Sequence, residues 1–151
     1  MSTVNEIALG DRSFEVHYDR IGEDLWRASA ELIDEIHHIK TSLDIGVPDL
    51  KVRDARIELI GTPLRSCAGI CGREKRLIGT KTEDLGFKVF RLFLGRGGCA
   101  NVYLLFGLSG PGFLNVYYLN KVKEGTMTQE AYDTMMKNDC IAHGKRFRGA
   151  P

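Results

Sequence analysis

The sequence predicts an α+β fold, with an N-terminal antiparallel β-sheet packed against C-terminal buried helices. Three observations predict it. Between residues 12 and 62, apolar and polar residues alternate in four runs separated by turn-forming residues. Beyond Thr82, apolar residues recur at helical spacing, and from Gly97 to Asn120 no residue is charged. With 151 residues, 43% hydrophobic and 27% charged, the chain has the composition of one globular domain rather than of a disordered segment. Within residues 1–151 the expected division is strand-rich 12–62, helical 82–139 and a basic tail over 143–151.

The first strand is expected from Arg12-Ser13-Phe14-Glu15-Val16-His17-Tyr18, where every second residue suits an interior. After the Gly22-Glu23-Asp24 turn, Leu25 to Ile33 places Trp26, Ala28, Ala30 and Leu32 on one face. Ile36 to Ile45 and Val52 to Ile60 follow, joined by Gly46-Val47-Pro48-Asp49, which has hairpin-turn composition. Helix is the alternative for Ala28 to Ile39, where Glu31, Glu35 and the isoleucines also fit a 3.6-residue period.

In the second half, Thr82 is placed to cap a helix whose first turn carries Glu83 and Asp84, and Gly95 to end it. Leu85, Phe87, Val89, Phe90, Leu92, Phe93 and Leu94 are apolar almost all round, which predicts a fully buried helix. Cys99 to Leu108 and Phe113 to Glu124 are read as two core helices joined near Ser109-Gly110-Pro111-Gly112. A single bilayer span over Ala100 to Leu119 fits by count. It is set aside because glycines and a proline interrupt it, and because Asn101, Ser109 and Asn115 would need partners in lipid. Gly125 then turns the chain into Met127 to Asn138, with Thr126 or Thr128 as the cap.

A net charge of +1 gives no overall pull toward nucleic acid or anionic lipid. Lys145, Arg146 and Arg148 cluster at the end and read as a solvated tail. Met1 to Arg12 lacks a basic start followed by an apolar run, so no secretory signal is expected. Without one, Cys67, Cys71, Cys99 and Cys140 read as reduced thiols in a cytoplasm, with two disulfides as the competing account.

The chemistry-bearing residues are His37, His38, the four cysteines, Asn101 and His143. Cys99 follows Gly95-Arg96-Gly97-Gly98 at the start of an expected helix, where unpaired N–H groups and the macrodipole favour a thiolate, which is both nucleophile and metal ligand. Cys67-Ala-Gly-Ile-Cys71 has the separation of paired zinc ligands, and Cys140-Ile-Ala-His143 is a second short pair. In each case plain packing of a small apolar side chain is the competing account. His37 and His38 fall on opposite faces of a strand, so only one enters the interior. Phosphate-loop, nucleophile-elbow and His-Glu-x-x-His motifs are absent.

Several short motifs taken in order resemble a bacterial family known as domain-of-unknown-function family 2889. Glu23-Asp24-Leu25-Trp26 leading into Ala30-Glu31-Leu32-Ile33-Asp34 is similar to its first strand pair, and His38-Ile39-Lys40 through Val52-Arg53-Asp54-Ala55 to its His-Asp-Met hairpin. Cys67 follows a turn with Thr62-Pro63, and Leu77-Ile78-Gly79 and Leu85-Gly86-Phe87 lead to Gly98-Cys99, similar to the family's Gly-Cys-Thr-His. The match spans roughly Asp24 to Phe106. Asn101 stands where the family has histidine, and Cys71 and Cys140 are additions. The resemblance implies positions rather than an activity: it brings His38, Cys67 and Cys99 forward together.

Two functions follow as expectations. One is a small soluble enzyme in which His38, Cys67 and Cys99 hold zinc or iron with an open position, or in which Cys99 is a nucleophile activated by His38. The uncharged Val102 to Tyr118 stretch would then wall a site for an apolar, aromatic or acyl small molecule. The other is an accessory protein without catalysis that holds a metal or cluster and offers its apolar helices to a partner, a second copy included. Neither expectation involves nucleic acid or membrane insertion.

Overall fold

Alternation decides the N-terminal half. The computed structural model describes residues 7–137, and there the chain forms strands β1 (Arg12–Gly22), β2 (Leu25–Asp34), β3 (His38–Gly46) and β4 (Lys51–Gly61). They pair antiparallel in sequence order, a simple meander. Trp26, Ala28, Ala30 and Leu32 of β2 are buried, as are Ile39, Leu43 and Ile45 of β3. The residues between them face away from the core. That period of two excludes the helical alternative for Ala28 to Ile39, because a helix would have buried every third or fourth residue instead.

Three 3₁₀ turns follow β4, at Arg65–Ile70, Arg73–Leu77 and Thr82–Asp84, before helix α1 (Leu85–Phe93). The segment between the second and third turns runs along the edge of β4. Gly79 N–H donates to Val52 O at 2.8 Å, Val52 N–H to Thr80 O at 2.9 Å, and Thr82 N–H to Leu50 O at 2.9 Å. Thr82 is therefore a buried tie to the sheet, not the expected cap: α1 starts after Asp84 with no side-chain cap. Gly95, at φ +97°, follows the end of α1 as expected.

The expectation of an α1 buried all round is corrected. Leu85, Val89, Leu92 and Phe93 are buried, whereas Phe87, Phe90 and Leu94 are exposed. Only one stripe of the helix meets the sheet, so apolar residues off that stripe have nothing to cover them.

A second correction concerns the glycine-proline stretch. Helix α2 runs unbroken over Ala100–Lys123 with Pro111 inside it. Proline removes one N–H, but the Gly107 carbonyl it would have served is one bond in a long ladder. Gly110 is present for close approach rather than for a turn. A Cβ there would lie 3.3 Å from Leu85 Cδ1 and 3.5 Å from Leu43 Cδ1. By length and composition α2 is apolar enough to cross a membrane, yet Val102, Leu105 and Phe106 in its first half are core residues. Phe106 stacks on Phe93 at 5.2 Å, and the Tyr18 hydroxyl of β1 donates to Ser109 O at 3.1 Å.

The chain divides into two compact units, Met1–Pro111 and Gly112–Pro151. The first holds the sheet, α1 and the first half of α2. The second holds the rest of α2 and α3 (Gln129–Met136). In it Phe113 and Tyr117 stack at 5.9 Å, and Thr128 caps α3 by accepting from Ala131 N–H at 3.1 Å, one of the two caps expected. Cys140, His143 and the basic tail lie outside the described residues.

Candidate ligand-binding cleft

His38, Cys67 and Cys99 are the residues the sequence brings forward, and the sheet register decides the first. His38 precedes the buried Ile39, so its ring leaves the sheet on the face away from the core. There its Nε2–H donates to Glu31 Oε1 at 2.5 Å, with Lys40 Nζ 3.3 Å from the same oxygen. His38 first, and then Lys40, holds the Glu31 carboxyl below the usual carboxylate range against the opposing cost of burial.

Cys67 is half-buried in the first 3₁₀ turn, and Cys71 is exposed just beyond it. Burial, and then the Glu74 carboxylate, push the Cys71 thiol up. Cys99 is half-buried at the N-terminal end of α2, as the glycine-rich approach predicts. Its N–H donates to Phe93 O at 2.7 Å, and its carbonyl accepts from Tyr103 N–H at 2.9 Å. Gly98 permits this, since a Cβ there would sit 2.1 Å from Phe93 O.

Convergence of the three is the expectation that needs correcting. Among the described residues no three His, Cys, Asp or Glu side chains are grouped so as to hold a metal ion. The physical reason lies in the strand parity at His38, which spends its imidazole on Glu31 on the open face.

The neighbouring histidine forms a tighter cluster that sequence reasoning missed. Asp34 Oδ1 accepts from Ile36 N–H at 3.0 Å, from His37 N–H at 2.7 Å and from His37 Nδ1 at 2.9 Å. Arg12 Nε donates to Asp34 Oδ2 at 2.9 Å, and Arg12 Nη2 reaches Asn101 Oδ1 at 2.5 Å. Burial alone would raise the Asp34 carboxyl; the bonds from Ile36, the His37 ring, Arg12 and the His37 N–H hold it at about 2. The readable signal was an aspartate two residues before the Ile36 amide in a tight turn, the chemistry of an Asx turn. This cluster closes the β2–β3 hairpin and ties β1 to α2.

The open cleft of the first unit lies elsewhere, between the second 3₁₀ turn and α1. It encloses about 480 Å³ and is lined by Arg73, Arg76, Asp84, Phe87, Lys88, Arg91 and Leu92. Both walls follow from period. In the turn Arg73–Leu77, three residues per turn put Arg73 and Arg76 on one edge while Glu74 and Leu77 are buried. On the α1 side, positions 84, 87, 88 and 91 fall on one helical face at i, i+3, i+4 and i+7.

Charge in this cleft is unbalanced. Among the described residues, Arg73, Arg76, Lys88 and Arg91 make no ion pair, and Asp84 is the lone carboxylate in the lining. Arg73 Nη1 donates a long 3.4 Å bond to Leu92 O, and the Arg91 guanidinium lies 5.6 Å over the Phe87 ring. Four cations and one apolar ring face a common space.

No family model, curated protein or solved structure matches the chain. The argument for function therefore rests on its own residues.

Proposed function

We propose that the first unit is a binding module whose cleft takes an anionic ligand carrying an aromatic or aliphatic body. This is the accessory, non-catalytic alternative of the two functions expected from sequence. It keeps the apolar or aromatic small molecule and adds a phosphate or carboxylate to it. The observation that carries the reading is the set of four cations without carboxylate partners around one 480 Å³ cleft. Arginine presents a planar fork that grips an oxyanion through two bonds. Phe87 and Leu92 offer the apolar surface against which the rest of the ligand loses water. A metal centre at His38, Cys67 and Cys99 plays no part in it.

Calorimetry with phenyl phosphate, inorganic phosphate and benzyl alcohol as probes tests this reading. Phenyl phosphate is expected to bind more tightly than either fragment, because only it uses both cations and ring. Charge-assisted hydrogen bonds contribute roughly 1.5–3 kcal/mol each, so Arg76→Gln with Lys88→Gln is expected to weaken binding about tenfold or more. Equal, feeble heats from all three probes, or an unchanged affinity in the double variant, would overturn the proposal.

A further inference from the structure

The cleft has a rim, and the rim is apolar. On α1, Phe87, Phe90 and Leu94 are 69%, 49% and 41% exposed and recur at i, i+3 and i+7, which makes them one ridge. The ridge continues onto the first half of α2. Phe90 meets the Tyr103 ring edge-on at 6.3 Å, and Leu104 and Leu108, one turn apart, are exposed beyond it. All of these residues belong to the first unit.

We infer that this ridge and the cleft together form a docking surface for an anionic bilayer, with a lipid phosphate entering the cleft while Phe87, Phe90 and Leu94 sit among the outer acyl carbons. The inference rests on the cleft being an anion site and identifies its ligand as a lipid headgroup. Charge complementarity chooses the occupant. A basic margin beside exposed aromatic and aliphatic residues is the composition that lies in a headgroup interface, with cations at phosphate level and rings below. Arg91 above Phe87 already has that arrangement. A second copy of this chain would place the same four cations against one another, which disfavours self-pairing through this face. An acidic helix from another protein would satisfy the charges, and its docking is a competing outcome of the test.

Sedimentation with vesicles supplies the test. Vesicles of phosphatidylcholine containing about 30 mol% phosphatidylglycerol are compared with pure phosphatidylcholine. The full chain is expected to bind the anionic vesicles at least about tenfold more tightly, and a Lys or Arg near such a surface contributes about fivefold each. Arg76→Gln with Lys88→Gln is expected to lower vesicle binding about twentyfold. Phe87→Ser with Phe90→Ser replaces exposed residues, leaves the core alone, and is expected to lower vesicle binding at least about tenfold.

The arms separate the two readings. Phenyl phosphate binding without vesicle binding overturns the bilayer inference and leaves the cleft reading standing. Loss of both in the unmodified protein overturns both. Vesicle binding that ignores the phenylalanine changes overturns the inference. So does concentration-dependent dimerisation without vesicles that Phe87→Ser with Phe90→Ser abolishes.

Discussion

Two charged surfaces of the first unit differ in whether the fold answers their charges. On the open face of the sheet, Arg27 grips Asp44 through two bonds of 2.7 and 2.9 Å. Arg56 Nη2 lies 2.5 Å from Asp54 and 3.6 Å from Asp44, and Lys75 Nζ lies 3.0 Å from Asp54. The register explains the need. Asp44 and Asp54 are directly opposite on β3 and β4, a cross-strand pair that repels unless cations are brought to it. In the cleft beside α1 the four cations have no such partners. Charge that serves the sheet is neutralised by the sheet, and charge that is left over faces the space where a ligand fits.

The comparison breaks most visibly if charge is removed from each surface in turn. Asp44 is buried, so Asp44→Ala strands Arg27 and Arg56 beside the strands. Leaving a charged donor half-buried and unsatisfied costs on the order of 1–3 kcal/mol. Urea unfolding is expected to show that loss with phenyl phosphate affinity unchanged. Arg76→Gln with Lys88→Gln is expected to do the reverse. If both variants lost stability alike, the cleft cations would be structural and the distinction would fail.

Acid sharpens the same contrast. Glu31, Asp34 and Asp54 are held below the usual carboxylate range by their partners, Asp34 at about 2. A carboxyl with a depressed folded-state pKa contributes stability that is full above its unfolded value of about 4 and is lost as pH falls toward the folded value. Urea midpoints are therefore expected to drop between about pH 4 and 2. The drop should be shallower in Asp34→Asn and keep its normal slope in Arg76→Gln with Lys88→Gln, since arginine and lysine stay charged throughout that window. An Asp34→Asn curve parallel to that of the unmodified protein would refute the assignment.

How much of this was legible in the sequence varies with the length scale of the signal. The four strands were readable because alternation is local and each run is bounded by turn residues. The first and last of them lie within a few residues of their predicted ends. Helix α1 was readable as a helix but not as a half-exposed one, because composition alone does not say how wide a stripe the sheet can cover. The glycine-proline stretch misled for a related reason. Gly110 answers the close approach of Leu43 and Leu85, which are 67 and 25 positions away. The position of Cys99 was legible, being set by the glycines before it. Its meeting with His38 was not, since that depends on which way one strand residue points. The cleft was hidden by averaging. Arg73-x-x-Arg76 and Lys88-x-x-Arg91 are both visible pairs, but a net charge of +1 conceals them until the turn and the helix bring them together.

The smallest expected effect is the most specific to the contrast. Four like charges around one cleft repel, so a single Arg76→Gln should raise stability slightly, within about 0.5 kcal/mol, as surface changes do. Because Arg76 is exposed, that gain should vanish in about 1 M salt, where charges are screened beyond about 3 Å. The Arg27–Asp44 pair, with Asp44 buried and the contact at 2.7 Å, is shielded from salt, so the Asp44→Ala loss should persist. Chemical denaturation in urea at low and high salt measures both. Should Arg76→Gln instead destabilise the protein at every salt concentration, Arg76 would have a partner in the fold, and the cleft would no longer be a surface held open for an anion.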